Sequence, residues 1–160
     1  MKKTSQILIL LSLFSLQTGN ASDADRFIGT WTLGKIESGS ESGDWQKIER
    51  WGDKPFGVIM YDSFGNMAVQ LAYEHRDTAS GTVPNSEDVN GYVAYVATYD
   101  VDPAEGTVTH HRLFHTNPNA DGLSVVRFYE FDDDTLTLTV APERNIRLTW
   151  IRQEKSIKNE

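Results

Sequence analysis

Apolar and polar side chains alternate with a period of two along most of the chain, and helical periodicity is nearly absent. That period belongs to strands with one face buried. Phe27 to Glu37 reads as a first strand, with Phe27, Trp31, Leu33 and Lys35 on one face and Ile28, Thr30, Thr32 and Ile36 on the other. Residues 39–44 form a Ser/Gly/acid loop, and Trp45 to Trp51 reads as a polar edge strand. Gly57 to Tyr61 and Met67 to Tyr73 flank Asp62-Ser63-Phe64-Gly65-Asn66, which predicts a hairpin. Its second arm sets Met67, Val69, Leu71 and Tyr73 against Ala68, Gln70 and Ala72. The longest strand signal, Gly91 to Asp102, puts Val93, Tyr95, Ala97, Tyr99 and Val101 on one face. Thr107 to His115 returns, Leu123 to Phe131 and Thr135 to Val140 are joined by Asp132-Asp133-Asp134, and Asn145 to Arg152 is last.

Residues 74–90 break the pattern with Ser, Thr, Asp, Asn, Gly81 and Pro84. A loop of this length in a compact domain is usually functional or mobile, so it reads as a lid or as irregular padding. About nine strands with short connections predict an all-β sandwich or barrel. Sequential hairpins favour an antiparallel up-and-down barrel, because closure removes exposed edges. Periodicity alone leaves both architectures open.

The first 21 residues stand apart. Lys2 and Lys3 precede a short apolar run from Ile7 to Leu16, and Gly19 and Ala21 supply small residues before a cleavage point. This is the layout of a secretory signal peptide, and the run is too short to span a bilayer. The expected organisation is a signal peptide at 1–21, one barrel domain at 22–152 and a charged tail at 153–160. The expected location is outside the cytoplasm, periplasmic or secreted, with no stable membrane insertion. Of the 160 residues none is cysteine, which rules out disulfides, a thiolate nucleophile and a cysteine-based metal site. Removing residues 1–21 leaves 13 basic against 23 acidic residues, a net charge of −10. That balance argues against nucleic acid and anionic membranes as partners. The oligomeric state is not legible.

The opening Phe27-Ile28-Gly29-Thr30-Trp31 resembles the Gly-x-Trp start of the lipocalins, and the last strand carries Leu148-Thr149-Trp150-Ile151-Arg152. In that fold the Trp closes the barrel base under a basic side chain from the last strand, which implies a structural pair of Trp31 with Arg152 (or Arg147). The resemblance extends to the bacterial lipocalin-like domain family. It rests on Gly57-Val58-Ile59-Met60-Tyr61, Gly65-Asn66-Met67-Ala68-Val69-Gln70, Gly91-Tyr92-Val93-Ala94-Tyr95, Tyr99-Asp100-Val101 and Gly106-Thr107-Val108-Thr109-His110-His111. The match runs over about residues 26–152 in the expected order. It implies a calyx-shaped barrel and no single activity.

Several side chains are candidates for chemistry. His110 and His111 point to opposite faces and cannot share a metal. His111 and His115, read as one face, lie about 13 Å apart along a strand, too far to chelate one ion. No metal and no cofactor is expected. His111 is the candidate barrel-lining histidine, and the acid or base if the protein is an enzyme. Tyr95 and Tyr99 are either barrel core or ligand contacts, and Tyr61 belongs with them. Arg127 shares a face with Val125 and Tyr129; pointing inward it would need an anionic partner. Gln70 aims an amide at a ligand if its small-residue face is inward. No Ser–His–Asp order, nucleotide loop or paired-carboxylate motif stands out. The leading expectation is a protein binding a small apolar or weakly anionic molecule through Tyr61, Gln70, Tyr95, Tyr99, His111 and Arg127. The alternatives are a lipocalin-like isomerase, cyclase or hydrolase, and an envelope or stress protein acting through its surface.

Overall fold

A computed structural model describes residues 22–40, 42–76 and 91–154. The expected signal peptide, most of the expected lid and most of the charged tail lie outside the described residues. Nine strands follow one short helix: α1 (Asp23–Phe27), β1 (Gly29–Ser38), β2 (Gln46–Lys47), β3 (Phe56–Tyr61), β4 (Asn66–Ala72), β5 (Tyr92–Asp102), β6 (Thr107–His115), β7 (Ser124–Asp132), β8 (Thr135–Val140) and β9 (Ile146–Arg152). Each of β3 to β9 pairs antiparallel with its sequence neighbour, β1 pairs with β3, and β9 pairs back onto β1. Eight strands therefore close an up-and-down barrel, and β2 is a two-residue extension on the end of β1.

Turn chemistry supports the meander. In the β3–β4 hairpin the Asp62 carboxylate accepts from the Phe64 and Asn66 backbone N–H groups, while Gly65 takes φ +83°, a value other residues adopt with strain. The inward sides of the strands carry Ile59, Val69, Ala97, Val108, Leu136, Leu138 and Trp150, all buried.

Two expectations for the N-terminal part are corrected. Phe27 ends α1 instead of opening β1. The faces of β1 do not run through unbroken, because register slips between Leu33 and Lys35 and leaves Gly34 as an extra residue. Beyond that bulge Ile36 is buried and Lys35 is exposed, the reverse of strict alternation. The polar edge strand shrinks to Gln46–Lys47, followed by one 3₁₀ turn at Glu49–Trp51 that buries Trp51.

One end of the barrel is plugged by aromatic rings. Phe27 is fully buried and meets Tyr61, Tyr129 and Phe131 edge-on at centroid distances of 5.1, 5.1 and 4.9 Å. Five residues are too few for a helix to persist alone, so α1 is held by its ends. Ser22 and Asp25 cap it reciprocally, Tyr129 donates to Asp23 at 2.6 Å, and Trp31 Nε1 donates to the Phe27 carbonyl at 2.9 Å. The Arg152 guanidinium lies 3.9 Å over the Trp31 ring and also donates to the Ile28 and Arg26 carbonyls.

Candidate functional site

Above the plug, toward the end where β4 leaves and β5 enters, the barrel holds a partly open cavity of about 200 Å³. Its walls are mainly aliphatic: Ile36, Ile59, Val69, Leu71, Val93 and Leu138 contribute from five strands. Trp150 lies in the wall on β9, and Ile48 with Trp51 covers it from the segment after β2. Apolar residues reach this space because inward positions alternate along every strand, so each turn that fixes register also fixes the lining.

Polar groups gather on the β5–β6–β7 side. His110 is 1% exposed and is the one buried polar or charged residue among those described. Its Nε2 lies 3.0 Å from the Tyr61 hydroxyl and its Nδ1 lies 3.0 Å from the Tyr95 hydroxyl. Burial, then the Arg127 and Arg112 guanidiniums and His111, pull its pKa down to about 3, so the ring is neutral at physiological pH. Burial pushes the Tyr61 hydroxyl well above its ordinary range. It pushes Tyr95 up too, against the opposing pull of Arg127 and Arg112. Arg112 and Arg127 both line the cavity, and the Arg112 guanidinium stands 5.0 Å from the Tyr95 ring centroid. Burial lowers the Arg112 pKa from its ordinary value. Arg50 lines the rim, and no acidic side chain lines the cavity among the described residues.

The candidate residues from sequence divide clearly. Tyr95 and Arg127 line the cavity. Tyr61 sits beneath it, reaching it through His110. Tyr99 belongs to the plug, with its ring 4.9 Å from that of Tyr61 and its hydroxyl donating to the Asp62 carbonyl.

Two candidates point out of the barrel and are corrected. Gln70 is exposed and accepts from the Tyr92 hydroxyl, because the bulkier Met67, Val69 and Leu71 take the inward positions of β4. His111 also faces outward, between Ser124 Oγ at 2.8 Å and Asp100 Oδ2 at 2.9 Å. The expected shared face of His111 and His115 fails as well. Register slips between Val96 and Ala97, Leu113 is the extra residue, and His115 stacks on Tyr95 at 5.6 Å. Sequence reasoning missed His110, Arg112 and the two tryptophans of the cavity. No local signal separates the phase of Val108, His110 and Arg112 from that of Thr109, His111 and Leu113, since each carries one apolar residue.

The Asp100–His111–Ser124 trio has the composition of a hydrolytic triad, yet its geometry does not fit one. Ser124 meets Nδ1 and Asp100 meets Nε2, the reverse of the arrangement in which the carboxylate orients Nδ1–H and Nε2 takes the nucleophile's proton. The Asp100 side chain is 84% exposed. The trio lies on the outer face of three paired strands, whose ladder occupies the backbone N–H groups an oxyanion would use. Among the described residues no group of His, Asp or Glu is placed to hold a metal ion, and no helix is long and apolar enough to cross a membrane.

Residues 28–155 match the profile of the lipocalin-like domain family. Two solved structures show distant similarity. One is an uncharacterized protein from Bacteroides eggerthii, 11% identical, covering 79% of this chain and 99% of that one with a TM-score of 0.44. The other is a variant of the fluorescent protein UnaG, 12% identical, covering 81% of this chain and 97% of that one with a TM-score of 0.38. No curated protein matches the chain.

Proposed function

The chain belongs to the lipocalin-like domain family, and from that premise we propose that it is an exported binding protein that holds a small, mostly apolar molecule inside its barrel. The observation that carries this reading is the cavity itself. Its walls are mostly aliphatic and indole side chains, with Tyr95, His110, Arg112 and Arg127 grouped on the β5–β7 side and Arg50 at the rim. Such a lining favours an apolar body by removing its surface from water, about 25 cal/mol for each Å². A water molecule's share of liquid is about 30 Å³, so 200 Å³ is about seven such volumes, room for a small molecule.

Binding is favoured over catalysis by the state of His110. Both ring nitrogens are occupied by tyrosine hydroxyls, and the ring is held neutral. A general acid or base needs a nitrogen within reach of the substrate's proton, and this histidine offers none.

Export rests on the features of residues 1–21. Cleavage after Ala21 would leave Ser22 as the N-terminus, whose backbone nitrogen already bonds the Asp25 carboxylate.

The test is native mass spectrometry of the protein purified gently from its own host's envelope fraction. A discrete added mass that disappears on denaturation, on a polypeptide beginning at Ser22, supports both parts. Full-length protein confined to the cytoplasm overturns export. Bare protein that also takes up no apolar molecule on titration overturns the binding reading.

A further inference from the structure

The hydrogen-bond donors around the cavity outnumber its acceptors in a way that fixes what the ligand must offer. Three buried side-chain polar atoms lack a partner among the described residues: Trp51 Nε1, Trp150 Nε1 and Arg112 Nε. All three are donors, and all three belong to residues that line the cavity. Arg127 adds a guanidinium that reaches the Val126 carbonyl only at a long 3.4 Å and otherwise acts, with Arg112, on the Tyr95 hydroxyl. Unmet buried donors cost stability, and unpaired charge costs more, unless a ligand completes them.

The Tyr61–His110–Tyr95 chain supplies one more donor once its protons are placed. A neutral imidazole carries one N–H and one bare nitrogen, so one tyrosine donates to the ring and the other accepts from it. Tyr61 is 3% exposed and, among the described residues, its hydroxyl bonds His110 alone. Had His110 Nε2 carried the proton, the Tyr61 hydroxyl hydrogen would be buried without an acceptor. The satisfied arrangement has Tyr61 donating to Nε2, Nδ1–H donating to the Tyr95 oxygen, and the Tyr95 O–H left over. Tyr95 lines the cavity, so its proton turns into it. The buried chain thus works as a one-way polariser that presents a hydroxyl donor beside two guanidiniums.

We propose that Tyr95, Arg112 and Arg127 form a head-group site for a carboxylate, so that the barrel selects amphiphilic carboxylic acids whose tails fill its aliphatic part. A carboxylate is acceptor-only, matches the guanidinium fork, and brings the negative charge that the cavity lining lacks. The proposal rests on the binding reading above, and it is specific about the end of the ligand that reading leaves open.

The test compares octanoate with octan-1-ol at pH 8, which share a tail and differ in the head. Trp51 and Trp150 line the cavity, so intrinsic fluorescence reports occupancy. Octanoate is expected to bind at least about tenfold more tightly, as charge-assisted bonds to arginine are worth. In Arg112→Gln/Arg127→Gln that preference disappears while octan-1-ol still titrates, which also shows that the variant is folded. Tyr95→Phe keeps both arginines and lowers the preference severalfold. In ¹⁵N–¹H spectra the His110 proton sits on Nδ1. Equal affinity for the acid and the alcohol overturns the head-group site and leaves the binding reading standing. A proton on Nε2 overturns the polarised chain. Failure of both molecules to titrate overturns the binding reading and this site with it.

Discussion

Replacing His110 with Gln tests the buried chain through the pH dependence of stability. In the folded protein the His110 pKa is pulled from 6.5 to about 3, first by burial and then by Arg127, Arg112 and His111. The unfolded chain therefore binds the proton more tightly than the folded one. Stability from this group is fully present above pH 6.5 and is lost as pH falls through the window toward 3. Each unit of pH within the window costs about 1.36 kcal/mol, so lowering the pH from 7 to 5 removes about 2 kcal/mol. That is a large part of a typical domain stability of about 5–15 kcal/mol. The groups facing the ring do not blur the reading. Tyr61 and Tyr95 are pushed above their ordinary range and stay neutral. His115 is also lowered, chiefly by burial, and adds the same sign in both proteins. Carboxylates held low, such as Glu37, lose their share below the ordinary carboxylate range, beneath the measured interval of pH 7 to 5, and do so alike in both proteins. The Gln amide keeps a donor and an acceptor for the two tyrosines. Urea unfolding followed by tryptophan fluorescence at pH 7, 6 and 5 should show the wild type losing about 2 kcal/mol more than His110→Gln. Parallel pH profiles for the two proteins would refute a buried neutral His110.

Three further expectations are simpler to check. Arg152→Leu removes the contact with Trp31 and two bonds to carbonyls around the end of α1; thermal or urea unfolding should show a loss of about 2–4 kcal/mol. A loss below about 0.5 kcal/mol would mean the base is closed by the aromatic rings alone. His111→Ala, on the outer face, should leave octan-1-ol affinity unchanged and shift stability by no more than about 0.5 kcal/mol. Gly57→Val places a Cβ 2.7 Å from the Leu33 Cβ and 2.8 Å from the Leu71 Cδ2, so unfolding measurements should show a loss of at least about 1–3 kcal/mol.

The strand plan was legible because β3 through β9 carry the period-two signal between strong turn residues, and the observed strands lie within a residue or two of the expected ones. The Gly-x-Trp opening located the closed end through Trp31 and Arg152, whose contact spans the chain from β1 to β9. Less legible were the elements that local pattern does not determine. The five residues of α1 are helical through capping and contacts with Trp31 and Tyr129, and β2 is two residues long because the Glu49–Trp51 turn buries Trp51 instead.

Alternation identifies two faces of a strand without saying which is inward, and a single bulge exchanges them. In β4 the choice was readable, since Met67, Val69 and Leu71 outweigh Ala68, Gln70 and Ala72 in the apolar area they can bury. In β6 one face holds Val108, His110 and Arg112 and the other Thr109, His111 and Leu113, so apolar area decides nothing and the extra residue at Leu113 confuses the count. What selects the inward face is the set of partners across the barrel: Tyr61 and Tyr95 hold His110, and no sequence-local feature announces them. The same partners leave Arg112 and Arg127 lining a cavity with no acid among the described residues. Polar and charged groups on an inward face are the places where local consistency gives way, and such places are expected at functional sites. In this barrel the departures lie on adjacent inward strands, β5 to β7, where they converge on one side of one cavity.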